Sequence, residues 1–125
     1  SGAGNNAMYI DAQGDVGLNN SAPVVELHIT DGDTPTVRLE QNGASGWTPQ
    51  TFDIAANETN FFIRDVTNGS ALPFRIRPGA DDNAIYIDND NQIGMGTNAP
   101  DSFLHLRSTD GNTKFHIQEA NATGA

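Results

Sequence analysis

The sequence predicts an all-β chain: a short-strand repeat architecture, with solenoid-like, prism-like or sandwich-like layers, forming an elongated fibre. Three observations carry that expectation. The first is self-similarity. NAMYIDAQGDVGLNNSAPVVELHI, from Asn6 to Ile29, returns as NAIYIDNDNQIGMGTNAPDSFLHL, from Asn83 to Leu106, with ten of 24 positions identical at a constant offset of 77 residues. Similarity at a fixed period marks units that stack on their neighbours and grow along one axis. The second is composition. Asn, Asp, Gly, Ser and Thr dominate while Leu, Lys and Glu are sparse, which suits short strands joined by tight turns and disfavours long helices. The third is a shortage of core. The apolar fraction is 36%, below the roughly 45 to 50% (Gly included) of ordinary globular domains, so an isolated copy is expected to share burial with sister copies. Residues 1–40 then form a first repeat unit, 41–82 an inserted aromatic-rich β segment, and 83–125 a second, truncated unit.

Each element follows from local pattern. Ala7–Asp11 reads as a strand with Tyr9 opposite in direction to Met8 and Ile10, and the turn around Gly14 leads to Val16 and Leu18. Asn19–Pro23 is a polar bend. Val24–Thr30 alternates Val25, Leu27 and Ile29 with Glu26 and His28, as a half-buried strand does. Asp31-Gly32-Asp33 signals a turn, Val37 and Leu39 mark the next strand, and the loop Gln41–Pro49 carries Trp47. Thr51–Ala55 places Phe52 and Ile54 on one side and Asp53 on the other; Phe61–Val66 follows, then a hairpin turn at Asn68-Gly69. Leu72–Arg77 is expected to point Phe74 and Ile76 inward and Arg75 and Arg77 outward, with Pro73 restricting it to a sheet edge. From Ala84–Asp88 the cycle restarts. The extended SGAGNN start suits a strand donated to a neighbour, and the ANATGA tail has no apolar pattern.

Charge excludes whole classes of function. Sixteen acidic residues against six basic ones give a net charge of −10, which repels nucleic acid and anionic lipid. There is no cysteine, hence no disulfide framework and no thiolate chemistry. No apolar run reaches the roughly 20 residues of a membrane helix, so membrane insertion is not expected, and any export signal is expected to have been removed. The sequence carries no GxSxG elbow, P-loop or HExxH motif, so catalysis is not expected. Sequons at Asn19, Asn57, Asn68 and Asn121 accord with so Asn-rich a composition.

IGMGTNAPDSFLHL, from Ile93 to Leu106, resembles the GIGTTSP…LHV repeat of phage tail fibres and of large secreted bacterial fibrous proteins. YIDNDNQ, from Tyr86, resembles the lead of that repeat, whereas the first copy departs from it at Val16–Asn20, where the second glycine and the threonine are missing. The resemblance implies an extracellular β fibre at a cell or virion surface, commonly a homotrimer, serving attachment or display. It implies no enzyme.

Candidate sites fall into three groups. Tyr9, Gly17, Tyr86, Gly94, Gly96 and Pro100 recur between the units or carry its bend, and are candidates for assembly. Gly94 and Gly96 permit either close approach of another chain or a surface bulge, and Pro100 fixes the exit. Asp31, Asp33, Asp88 and Asp90 bring oxygen ligands together as calcium requires, although turn-forming acids explain them equally and no other cofactor is expected. Trp47, Gln50, Asn57, Glu58, Arg75 and Arg77 compose a possible saccharide platform, an aromatic face beside amides, carboxylate and guanidinium groups; otherwise Trp47 plugs the β core. His28 and His105 occupy matching strand positions and are read as structural, and His116 adds no metal pattern.

The expectation is thus a non-enzymatic structural subunit whose partners are copies of itself. Two routes fit: three chains around a common axis, or head-to-tail completion of one layer by the copy from the next subunit. The alternative is a carbohydrate-binding or receptor-binding module that reads a cell-surface glycan through the middle segment.

Overall fold

The computed structural model describes residues 7–118. The expectations attached to Asn6, to SGAGNN, to ANATGA and to the sequon at Asn121 lie outside those residues. Among the described residues the chain is all-β, with ten strands in three sheets, none closed, and no helix. The described residues divide into two compact units, one up to residue 78 and one from residue 79.

The first unit opens with a three-stranded sheet of β1 (Tyr9–Ile10), β2 (Val16–Leu18) and β3 (Leu27–Ile29). β1 pairs antiparallel with β2, Tyr9 opposite Gly17, and β2 runs parallel to β3, Gly17 opposite His28. The hairpin between β1 and β2 is built by Asp11, whose Oδ1 accepts the amides of Gln13 and Asp15, each at 2.9 Å. β3 is shorter than the expected Val24–Thr30 strand, because Val24 and Val25 belong to the connection that precedes it. Parallel neighbours ordinarily need a crossover of about a dozen residues or more. Here the eight residues Asn19–Glu26 suffice, and so short a return has to pass directly beneath β2. Asn19 starts it with φ of 54°, and a Cβ on Gly17 would collide with the Asn20 carbonyl oxygen.

The rest of the unit is an antiparallel meander of β4 (Thr36–Gln41), β5 (Gln50–Ala56), β6 (Phe61–Asp65) and β7 (Ala71–Ile76), in that spatial order. It starts at Thr36 and so takes in the last residues of the 1–40 stretch. Asn57 forms the turn between β5 and β6, its Oδ1 accepting the amides of Thr59 at 3.0 Å and Asn60 at 3.1 Å. Gly69 and Ser70, both at positive φ, close the turn between β6 and β7. β7 is an edge strand, as the missing amide hydrogen of Pro73 requires.

Side chains alternate as the period of two demands, but burial runs opposite to expectation. The covered side of the meander holds Asp53, Ala55 and Phe62, with Arg64 lying 5.5 Å over the Phe62 ring. Phe74 and Ile76, expected inward, are 37% and 43% exposed. Their side of the sheet holds the larger apolar residues, and among the described residues of this unit no element closes over it.

The second unit repeats the first sheet with β8 (Tyr86–Ile87), β9 (Ile93–Met95) and β10 (Leu104–Leu106). Every pairing is reproduced at the offset of 77: Tyr86 faces Gly94, and Gly94 faces His105 across a parallel pair. Asp88 takes the part of Asp11, its Oδ1 accepting the amides of Asp90 and Gln92 at 2.9 and 2.8 Å. Positive φ recurs at Asn91 for Gly14 and at Gly96 for Asn19. A Cβ on Gly94 would collide with the Thr97 carbonyl oxygen, and one on Gly96 with that of Arg107. Contacts inside the unit therefore account for both glycines. Gly94→Ala is expected to destabilise the unit by about 2 to 3 kcal/mol, the scale of an overpacked site whose neighbour is backbone. A thermal melt indistinguishable from wild type would remove this explanation.

Candidate functional site

The cross-strand registers of the meander assemble two faces of opposite character. One row crosses all four strands: Val37 faces Ile54, Ile54 faces Ile63, and Ile63 faces Phe74. Beside it stand Leu39 with Phe52, and Phe61 with Ile76. Apart from the half-buried Ile63, these residues are 37 to 57% exposed. Strands about 4.8 Å apart rising about 3.3 Å per residue make this an apolar face of roughly 300 to 400 Å² in flat projection. Single-chain proteins rarely leave a larger contiguous apolar patch uncovered.

That face continues within the first unit. Leu27 and Ile29 of β3 line one groove together with Val37, Ile54 and Phe61. In the three-stranded sheet Ile10, Val16 and Leu27 form one row, while Tyr9, Gly17 and His28 form the row on the opposite side. The second unit has the same division, with Ile87, Ile93 and Leu104 exposed on one side of their own sheet.

On its opposite face the meander is held by charge. Asp53 has no exposed surface and takes Arg38 Nε at 2.8 Å and Arg64 Nη2 at 2.7 Å, one arginine from each flanking strand. The Arg38 hydrogen bond, followed by the one from Arg64, holds the Asp53 carboxyl down to about 2 against the opposing effect of burial. Asp53 in turn raises the pKa of Arg38. The cover over Asp53 is thin, being the two guanidinium groups themselves, so the hydrogen bonds outweigh desolvation.

The structure separates the residues proposed for a saccharide platform. Trp47 lies in the β4–β5 loop, 72% exposed, and does not plug the β core among the described residues. Gln50, at the same end, donates to Asp65 Oδ1 at 2.8 Å. Asn57, Glu58, Arg75 and Arg77 are at the other end of the meander, where Arg75 and Arg77 line a groove with Thr59 and Asn60. The acidic calcium candidates act as turn formers. Asp31 Oδ1 accepts the amides of Asp33 and Thr34, Asp33 Oδ1 accepts the Thr34 hydroxyl, and Asp88 Oδ1 accepts the Asp90 amide. No group of three or more metal-ligating side chains occurs among the described residues.

The two histidines differ in their partners. His105 Nδ1 lies 3.1 Å from Asp101 Oδ1, whereas His28 Nδ1 is buried without a partner, valine standing at the corresponding position 24. Pro100 lies in the β9–β10 crossover, and Tyr9 and Tyr86 sit across from Gly17 and Gly94 on the row away from the apolar side. Sequence reasoning passed over the apolar face as a binding surface by assigning it to a core. The signal was present: the low apolar fraction, set against apolar residues at alternate positions in every strand of 36–76. A scan against protein-family models gives no match, and no curated protein matches the chain.

Proposed function

We propose that this protein is a non-enzymatic structural subunit of an extracellular β-rich fibre, assembled from identical copies whose apolar sheet faces pack on one another. The observation that carries the reading is the exposed row Val37–Ile54–Ile63–Phe74, continuous through one groove with Leu27 and Ile29. Each such side chain, already partly covered, leaves about 1 kcal/mol of burial unrealised in a lone chain. An identical copy is the partner that matches: it offers the same apolar rows, and the carboxylate on this side, Asp65, stands at the rim opposite Phe52, engaged by Gln50 and outside the Val37–Ile54–Ile63–Phe74 row.

Packing by faces is favoured over head-to-tail strand completion. β1 offers only two residues to a neighbour and β3 three, while Pro73 withholds a donor at the β7 edge. The resemblance of Ile93–Leu106 to the tail-fibre repeat supports three chains around one axis, an elongated product built in prism-like layers, a surface location, and a role in attachment or display.

Sedimentation equilibrium combined with electron microscopy of the protein tests this reading. The expected result is a discrete trimer or a fibre built from trimers at micromolar concentration. A folded monomer at that concentration, or a polymer joined only end to end, would count against it.

A further inference from the structure

We propose that the groove between the β5–β6 turn and the end of β7 binds the carboxylate of an acidic saccharide. Thr59, Asn60, Arg75 and Arg77 line a space of about 490 Å³. The chain has six cationic residues among sixteen carboxylates, and Asp53 engages both Arg38 and Arg64. Arg75 and Arg77 pair with no carboxylate among the described residues. Arg75 lies in β7 and Arg77 just past its end, and both line the same groove. Their mutual repulsion is relieved by an anion placed between them, and the planar guanidinium suits bidentate capture of a carboxylate.

The rest of the lining narrows the ligand. The Asn60 side chain makes no hydrogen bond among the described residues, leaving its amide free to donate and accept. The Thr59 hydroxyl donates to Glu58 Oε1 at 3.3 Å and keeps its lone pairs for an incoming hydroxyl. No aromatic or aliphatic side chain lines the groove. A ligand recognised here is therefore polar throughout, an acid bearing hydroxyls, and differs from the flat apolar ring face that Trp47 would take. Arg75 faces Phe62, on the charged side of the meander. This placement rests on the assembly reading in one respect: with the apolar side covered by sister copies, the groove stays open once per chain, and weak single sites combine into tight attachment. A carboxylate side chain of a sister copy is the less fitting occupant, since it leaves Asn60 and Thr59 unused.

Calorimetric titration of the assembled protein with trigalacturonic acid, its fully methyl-esterified form, and sodium sulfate tests the assignment, with sedimentation run on every variant. Saturable binding of the acid is expected, falling about tenfold or more in Arg75→Gln/Arg77→Gln, the scale of two charge-assisted contacts. The ester and sulfate are expected to bind at least tenfold more weakly, and the variant to assemble as wild type does. The proposal is overturned if the acid fails to bind at millimolar concentration, if the variant binds it equally, or if sulfate matches it. Loss of assembly in the variant also overturns it, by giving the arginines to a contact between copies. Failure of the assembly reading shows separately, as monomeric wild-type protein.

Discussion

Ile54→Glu is expected to turn the assembled protein into single chains. Ile54 stands at the centre of the apolar face, paired with Val37 on one side and Ile63 on the other. Its replacement removes about 1 kcal/mol of apolar burial at the contact and sets a carboxylate where no basic residue faces it, at a cost of several kcal/mol if the interface still closes. The association constant is expected to fall by roughly a thousandfold or more. Because the residue is 40% exposed in the lone chain, the substitution leaves the chain's own hydrogen-bonded ladder untouched. Glu40→Lys, on the charged face, is the matched control and is expected to assemble normally. Sedimentation velocity distinguishes the two, and an Ile54→Glu protein that sediments as wild type would end the case for this interface.

The second large effect is expected at Asp53. Asp53→Asn keeps the shape of the side chain but leaves Arg38 and Arg64 converging without a counter-charge, a loss of about 2 kcal/mol. For a unit of this size that corresponds to a fall in melting temperature on the order of 10 °C. The pH dependence has a definite sign. The folded carboxyl, at about 2, lies below its ordinary value of 3.8, so its stabilisation is complete above that ordinary value. It declines as pH falls from 3.8 towards 2, because protonation then favours the unfolded chain. Melting curves at pH 5, 3 and 2 are expected to converge for wild type and Asp53→Asn. Curves separated by a constant interval at all three would show that the charge on Asp53 is not what links the strands.

Strand existence was legible in the sequence, because the period of two and the turn residues are local, but the parallel pairing of β2 with β3 and of β9 with β10 was not. The repeat was legible as self-similarity, and the structure adds what the sequence left open, the common register of the two three-stranded sheets. Burial was less accessible. Alternation says which residues share a side and not which side is covered, and at Asp53 the difference was decided by arginines fifteen residues before it and eleven after. The parity of Arg38, Asp53 and Arg64 contained that answer, since all three fall on one face once the strands are paired. Trp47 shows the opposite limit. Its proximity in sequence to polar residues suggested a single platform, but a meander with long hairpins sends Trp47 and Arg75 to different ends.

The brevity of the crossover beneath Gly17 and Gly94 has a consequence for how such chains are lengthened. About two dozen residues complete their own ladder, turn and return, each requirement met by an atom a few positions away. A block that is closed in this way tolerates foreign sequence at its borders. The stretch from 31 to 82 therefore has the position of a cassette, and exchanging it for a different meander is expected to leave the ladder of each bracketing block, closed in the first by Thr30, intact.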